Sequence, residues 1–271
     1  MMQMKLYSVI ESFFRGQSIE YFAALRREDL CLAEGKILDV GVKSAFVFLM
    51  PYYTGEHPDR NVSLYSVSLD YHLYVKELSA KLAVWFEKNA VDTGFRFMAD
   101  ASPVSEVLTA ARASLGVIGK NRLLINEKYG SFVFVGTLFL EAELDSREYT
   151  QIRSPKECMG CGKCLRACPF LSGERDFCLS ELNQRKKVSG EELAVIRSAP
   201  VIWGCDDCQT VCPCNRDVPV TPIEFFHRQP IEFLTAEAVK QMPAADFSER
   251  AYSWRGKRVI LRNLGEDGEE L

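Results

Sequence analysis

CMGCGKCLRACP (158–169) and GCDDCQTVCP (204–213) decide how this chain must be read. The first run has the spacing Cys158-x2-Cys161-x2-Cys164-x3-Cys168-Pro169, which is the bacterial ferredoxin pattern. Three thiolates at two-residue gaps wrap one cubane. The fourth, just before proline, ligates the other cluster of a two-cluster fold. Gly160, Gly162 and Ala167 are small enough for that tight wrap. The second run, Cys205-x2-Cys208-x3-Cys212-Pro213, matches the last three ligands of the same pattern and lacks the first.

Exchange of the Cys-Pro ligands assigns Cys158, Cys161, Cys164 and Cys212 to one [4Fe–4S] cluster. The other takes Cys205, Cys208, Cys168 and one more, with Cys178 and Cys214 as candidates. Cys178 is favoured. It opens CLSEL (178–182), a helix start after a charged loop, whereas Cys214 lies two residues past a ligand already aimed at the first cluster. Structural zinc also uses paired CxxC motifs, but it needs neither the third cysteine nor the Cys-Pro. A redox dithiol needs only one pair.

The bulk numbers frame this segment. The 271 residues are 47% hydrophobic and 26% charged, enough for one large domain or two modest ones. Of ten cysteines, only Cys31 precedes residue 158. Such clustering points to metal ligands rather than disulfides in a reducing compartment. A net charge of −4 argues against whole-surface nucleic-acid binding and leaves room for a local basic patch. Arg250, Arg255, Lys257, Arg258 and Arg262 crowd one such patch near the C-terminus. No apolar run reaches 18 residues, so no membrane partner is expected. The opening MMQMKLYSVIESFFRGQS does not read as a secretory signal, so the expected location is the cytoplasm.

The expected fold class is α+β, with a mixed α/β domain over 1–150 and a ferredoxin-like domain over 151–222. A helical C-terminal segment with an acidic tail follows over 223–271. Within the first part, SAFVFLMPYY (44–53) reads as a buried strand. Apolar residues at 75, 78, 82 and 85 mark an amphipathic helix over 72–90. GFRFMAD (94–100) reads as a strand ending on Asp100. SPVSEVLTAARASLG (102–116) reads as a helix capped by Ser102, with Pro103 at its first position and Gly116 at its close. SFVFVGTLFLEAEL (131–144) reads as a second long strand, and 145–157 as a linker. Asp100 therefore falls at a strand end beside a helix start, where acids face ligand crevices in α/β folds or simply cap and solvate. Gly116-x2-Gly119-Lys120-Asn121 lacks phosphate-loop spacing. His72 reads equally as a ligand or as a surface histidine.

Taken together, these motifs resemble the cobalamin-dependent epoxyqueuosine reductases. The resemblance rests on DYH (70–72), DASPVSEVLTAARASLGVIGKNRLLINEKYGSFVFVGTLFL (100–140), the two cysteine runs, CLSEL (178–182) and WRGKRVILRNLG (254–265). It implies an N-terminal α/β domain that holds cobalamin and a ferredoxin-like domain with two [4Fe–4S] clusters that feeds it electrons. The implied reaction reduces epoxyqueuosine to queuosine in tRNA, with Asp100 as proton donor. His72, Lys120 and Asn121 then line the corrinoid pocket, Cys178 completes the second cluster, and a ferredoxin- or flavodoxin-type protein is the external electron donor. Three features depart from the family pattern. The chain stops at Leu271, without the C-terminal helical repeats that help grip tRNA; Phe170-Leu171 follows the first Cys-Pro; and Val117 stands where an aromatic is common. Two other readings compete: a dicluster electron carrier, which needs neither Asp100 nor the 100–140 signature, and a cobalamin-dependent reductase of a small molecule.

Overall fold

A computed structural model describes residues 5–266. The chain divides into two compact units that interleave in sequence. One comprises Met1–Tyr52, His72–Gly160 and Arg216–Ile223; the other comprises Tyr53–Tyr71, Cys161–Asn215 and Glu224–Leu271. The expected boundaries near 150 and 222 differ from these units for a packing reason. Val62 and Val67 share one buried core with Trp203, Tyr252, Val259 and Ile260, so residues 53–71 and 224–271 group with the cysteine segment. Of the acidic tail, residues 267–271 lie outside the described residues.

The first unit is built on a four-stranded sheet in the order β1-β2-β6-β3, where β1 is Phe22–Arg26, β2 Ser44–Pro51, β3 Phe95–Ala99 and β6 Val133–Leu140. A short ribbon pairs β4 (Val117–Ile118) with β5 (Leu124–Ile125). Every residue of β2 is buried, which explains its unbroken apolar run: a strand covered on both faces has no reason to alternate. On one face, Phe46 and Phe48 pack with Phe14 from the helix Leu6–Gly16, at ring distances of 5.9 and 5.1 Å. On the other, Ala45, Val47 and Leu49 pack with Ala110 and Ala111. The helix Tyr71–Lys88 buries Val75, Leu78, Leu82 and Phe86, close to the expected span and face.

All strand pairs in the main sheet are antiparallel. The crevice argument for Asp100, which belongs to parallel α/β sheets, therefore does not place it. Three further expectations change. The helix expected over 102–116 is Glu106–Arg112, capped at Ser105. Residues 102–105 are extended instead, because the Ala33 N–H donates to the Pro103 carbonyl at 2.9 Å and the Ser105 N–H to the Cys31 carbonyl at 2.7 Å. The helix also ends before Gly116, since Ser114 takes the left-handed conformation at φ 62°. The linker expected over 145–157 is hydrogen-bonded into the first unit: Thr150 N–H to Ala24 at 2.8 Å, Arg153 N–H to Arg112 at 2.9 Å.

In the second unit, short helices carry the cysteines, and a buried amide network holds them. Asn183 and Gly204 exchange two hydrogen bonds, at 2.7 and 3.1 Å. The Asn263 side chain donates to the Asn183 and Ile202 carbonyls at 2.7 and 2.8 Å. Asp206 accepts from the Leu64 N–H at 2.9 Å and from Arg60 at 3.0 Å. These bonds anchor the Gly204–Asp206 turn from three sequence-distant segments. Among the described residues, no helix is long and apolar enough to cross a membrane.

Candidate functional site

The cysteine segment begins at Cys158, which groups with the first unit, while Cys161, Cys164, Cys168, Cys178, Cys205, Cys208 and Cys212 belong to the second. Gly160 and Gly162 both take φ 71°, the left-handed region that glycine enters without a Cβ penalty. The chain can therefore turn twice between Cys158 and Cys164. Gly162 caps the helix Lys163–Ala167, which presents Cys164 and ends at Cys168. That helix packs against Asp207–Thr210, which carries Cys208. The two Cys-Pro runs thus meet through equivalent helices.

The second cysteine set also gathers. Cys168 and Cys205 line one cavity of about 250 Å³ together with Phe177, Leu179 and Asp207, the immediate neighbours of Cys178 and Cys208. Cys178 stands at the N-cap position of the helix Leu179–Leu182, at the helix start its sequence context predicts. Burial pushes the Cys205 thiol up, and Cys178 lies near enough to add to that effect. Among the described residues, no three metal-ligating side chains converge on a single ion. A cubane spaces its thiolates more widely than one ion does, and of the cysteines Cys168 and Cys205 line this cavity.

Asp100 is exposed, immediately after β3, and has φ 64°. The Ala101 N–H reaches back to the Ala99 carbonyl at 2.8 Å, closing a three-residue turn around it. The Asp100 N–H donates to both carboxylate oxygens of Glu106, at 2.9 and 3.1 Å. Burial pushes the Glu106 carboxyl up to about 7; the Asp100 N–H pulls it down, the Asp100 charge pushes it up, and His72 pulls it down. His72, itself exposed, is thereby placed within electrostatic reach of Glu106. A cavity of about 580 Å³ opens beside the turn, lined by Met98, Ala101, Ser102, Pro103 and Phe139 among others. Sequence reading missed Glu106. Its signal was an acid in the first turn of a helix, a position that ordinarily means only a favourable dipole contact.

Lys120 and Asn121 form a second group. The turn Gly119–Arg122 is closed by the Arg122 N–H on the Gly119 carbonyl at 2.8 Å. A Cβ on Gly119 would lie 2.2 Å from Asn121 Oδ1, so any larger residue there would push the Asn121 side chain aside. Asn121 is buried, its Oδ1 accepts from the Leu123 N–H at 3.3 Å, and its Nδ2 has no hydrogen-bond partner. An orphaned buried donor is costly, and an acceptor on a bound group is what would satisfy it. This loop adjoins the start of the cysteine segment: the Ile118 N–H donates to Lys156 at 2.9 Å and the Cys158 N–H to Ile118 at 3.1 Å.

The basic C-terminal segment is largely used inward. Lys257 donates to the Lys240 and Met242 carbonyls at 3.2 and 2.6 Å. Arg262 donates to the Arg185 carbonyl at 2.8 Å, and Arg250 to the Gln229 carbonyl at 2.6 Å. Arg255 stacks on exposed Trp254, 3.8 Å from the ring centre, and Arg258 is exposed.

Residues 36–101 match the family model described as epoxyqueuosine reductase QueG, DUF1730. The epoxyqueuosine reductase of Lactococcus garvieae is 33% identical over 214 residues, 72% of this chain and 57% of the relative. That of Listeria monocytogenes is 32% identical over 213 residues, 73% of this chain and 54% of the relative. The structure of epoxyqueuosine reductase from Streptococcus thermophilus superposes with a TM-score of 0.71 at 23% identity, covering 96% of this chain and 80% of that one. A structure of epoxyqueuosine reductase with a tRNA-Tyr epoxyqueuosine-modified tRNA stem loop gives 0.74 at 21% identity, covering 95% and 79%. The chain has the mixed α/β fold of these oxidoreductases and, spanning a little over half the length of the curated relatives it matches, is by sequence a member of the epoxyqueuosine reductase family.

Proposed function

We propose that this chain is a cobalamin- and iron–sulfur-dependent reductase that converts epoxyqueuosine to queuosine in tRNA. One observation carries the reading: Ile118, just before the loop bearing Lys120 and the orphaned Asn121 amide, is hydrogen-bonded on both sides to the segment that leads into Cys158. The residues proposed to line the corrinoid pocket thus adjoin the first proposed cluster ligand. The relative solved with a modified tRNA stem loop supports the substrate. Electrons enter from an external donor of ferredoxin or flavodoxin type.

Two electrons and two protons convert the epoxide to an alkene and release its oxygen as water. Reduced cobalamin, when bound, would supply a strongly reducing centre, and [4Fe–4S] clusters held by the cysteines would supply it with single electrons. Cys158, Cys161, Cys164 and Cys212 hold one cluster; Cys168, Cys178, Cys205 and Cys208 hold the other. The Asn121 amide and Lys120 would hold the corrinoid, together with His72. The Asp100 carboxyl, at the tip of its turn, gives a proton to the departing oxygen as a general acid.

The test is anaerobic reconstitution with cobalamin, iron and sulfide, followed by assay on epoxyqueuosine-containing tRNA. The loaded wild type turns over and Asp100→Ala does not. Absence of turnover by the loaded wild type overturns the tRNA substrate; retained turnover by Asp100→Ala overturns the proton-donor role. The inward use of Lys257, Arg262 and Arg250 leaves fewer cations for a polyanion, and so favours a small-molecule epoxide as the second reading.

A further inference from the structure

Asp100 sits in an unfavourable turn for a residue with a side chain. A φ of 64° is the left-handed region, and a three-residue turn with positive φ at its centre is the rare, strained form. Such a turn persists only when its surroundings over-determine it. Here one carboxylate meets the turn at its centre. Both Glu106 oxygens take the Asp100 N–H, and Glu106 is itself fixed as the first residue of the helix Glu106–Arg112.

We propose that Glu106 is the positioning residue for Asp100, holding the strained turn by accepting the Asp100 N–H on both carboxylate oxygens. The inference rests on the reading of Asp100 as proton donor for its consequence in turnover, but not for the clamp itself. A carboxylate accepts this bond with its full charge, and charge-assisted bonds are about twice as strong as neutral ones. A protonated Glu106 loses that charge and gives up one oxygen to its own proton. The charged groups facing it are Asp100, from the end of β3, and His72, from the helix Tyr71–Lys88. Because burial raises the Glu106 carboxyl to about 7, the clamp weakens as pH falls through neutrality. The turn that carries Asp100 is then released while Asp100 itself is untouched.

Hydrogen exchange at the Asp100 amide, read by mass spectrometry on overlapping peptides of the cluster-loaded protein, tests this without substrate. After correction for intrinsic exchange, wild-type protection falls about tenfold between pH 8 and pH 6. Glu106→Gln, of nearly the same shape, shows low protection with no pH dependence. His72→Asn, a change at an exposed position, moves the wild-type midpoint to higher pH, because His72 holds the Glu106 carboxyl down. Wild-type protection and pH dependence in Glu106→Gln overturn the clamp. So does wild-type protection that stays constant between pH 8 and pH 6, which keeps the test decisive even if Glu106→Gln fails to fold. In turnover, Glu106→Gln lowers kcat about tenfold, leaves KM within twofold and loses the acid limb near neutrality. An unchanged kcat alongside lost protection overturns the positioning role. Failure of the loaded wild type to act on epoxyqueuosine-containing tRNA is a failure of the proposed function instead, and leaves the exchange result standing.

Discussion

Asn121→Ala should act with opposite sign on stability and on cofactor affinity. In the cofactor-free protein, Asn121 is 8% exposed and its Nδ2 lacks a hydrogen-bond partner. An unsatisfied buried donor costs about 1–3 kcal/mol. Its Oδ1 accepts from the Leu123 N–H at 3.3 Å, a long bond contributing at most about 1 kcal/mol. Truncation removes both, so the cofactor-free variant should lie between unchanged and about 2 kcal/mol more stable. That outcome is unusual for a buried residue, since typical substitutions destabilise by about 1 kcal/mol. If the Asn121 amide meets cobalamin as proposed, the same truncation should weaken cobalamin binding by roughly 10- to 100-fold. Urea unfolding followed by tryptophan fluorescence gives the first quantity; anaerobic cobalamin titration followed in the visible spectrum gives the second. A variant destabilised by more than about 2 kcal/mol, with cobalamin affinity within twofold of wild type, would refute the assignment of Asn121.

Three other expectations follow from particular contacts. Cys178→Ser should halve the iron and sulfide bound after reconstitution, while Cys214→Ser should leave both at wild-type level; the reverse result would exchange the two cysteines as ligands. Phe14→Ala removes a fully buried ring packed within 5.1–5.9 Å of Phe22, Phe46 and Phe48, and should cost about 3–5 kcal/mol in urea unfolding. Glu106 links stability to pH. Its folded carboxyl is raised from 4.5 to about 7, so the native state holds the proton more tightly than the unfolded chain between those values. Its contribution is fully present below about 4.5 and is lost as pH rises through about 7, amounting to at most about 3 kcal/mol. Glu106→Gln should abolish this slope, and a wild-type stability profile in the variant would contradict it.

Much of the local structure was legible because it is encoded by spacing. The unbroken apolar run 45–51, the helical period after Tyr71 and the alternating start at Phe95 each specify their element from neighbours alone. The cysteine runs work in the same way: Gly160 and Gly162 specify two left-handed turns, and CLSEL specifies a helix that starts after Cys178. Ser102-Pro103 was an equally good local signal, and it misled. Residues 102–105 are held against Cys31–Ala33, far away in sequence, and a backbone paired with that segment is no longer available to start a helix.

What only the tertiary structure decided has that same cause. Lys257, Arg262 and Arg250 look like a polyanion patch in sequence, and long-range packing turns each of them toward carbonyl oxygens. Residues 53–71 read as part of the first domain, and burial against Trp203 and Tyr252 assigns them to the second unit. Asp100 was visible as a strand-end acid, but its strained turn and its bond to Glu106 were not. Ligand spacing and periodicity are properties of adjacent residues, so the sequence by itself determines them. The turn at Asp100, the orphaned Asn121 amide and the direction of each cation depend on which distant segments meet, and only the folded chain decides that.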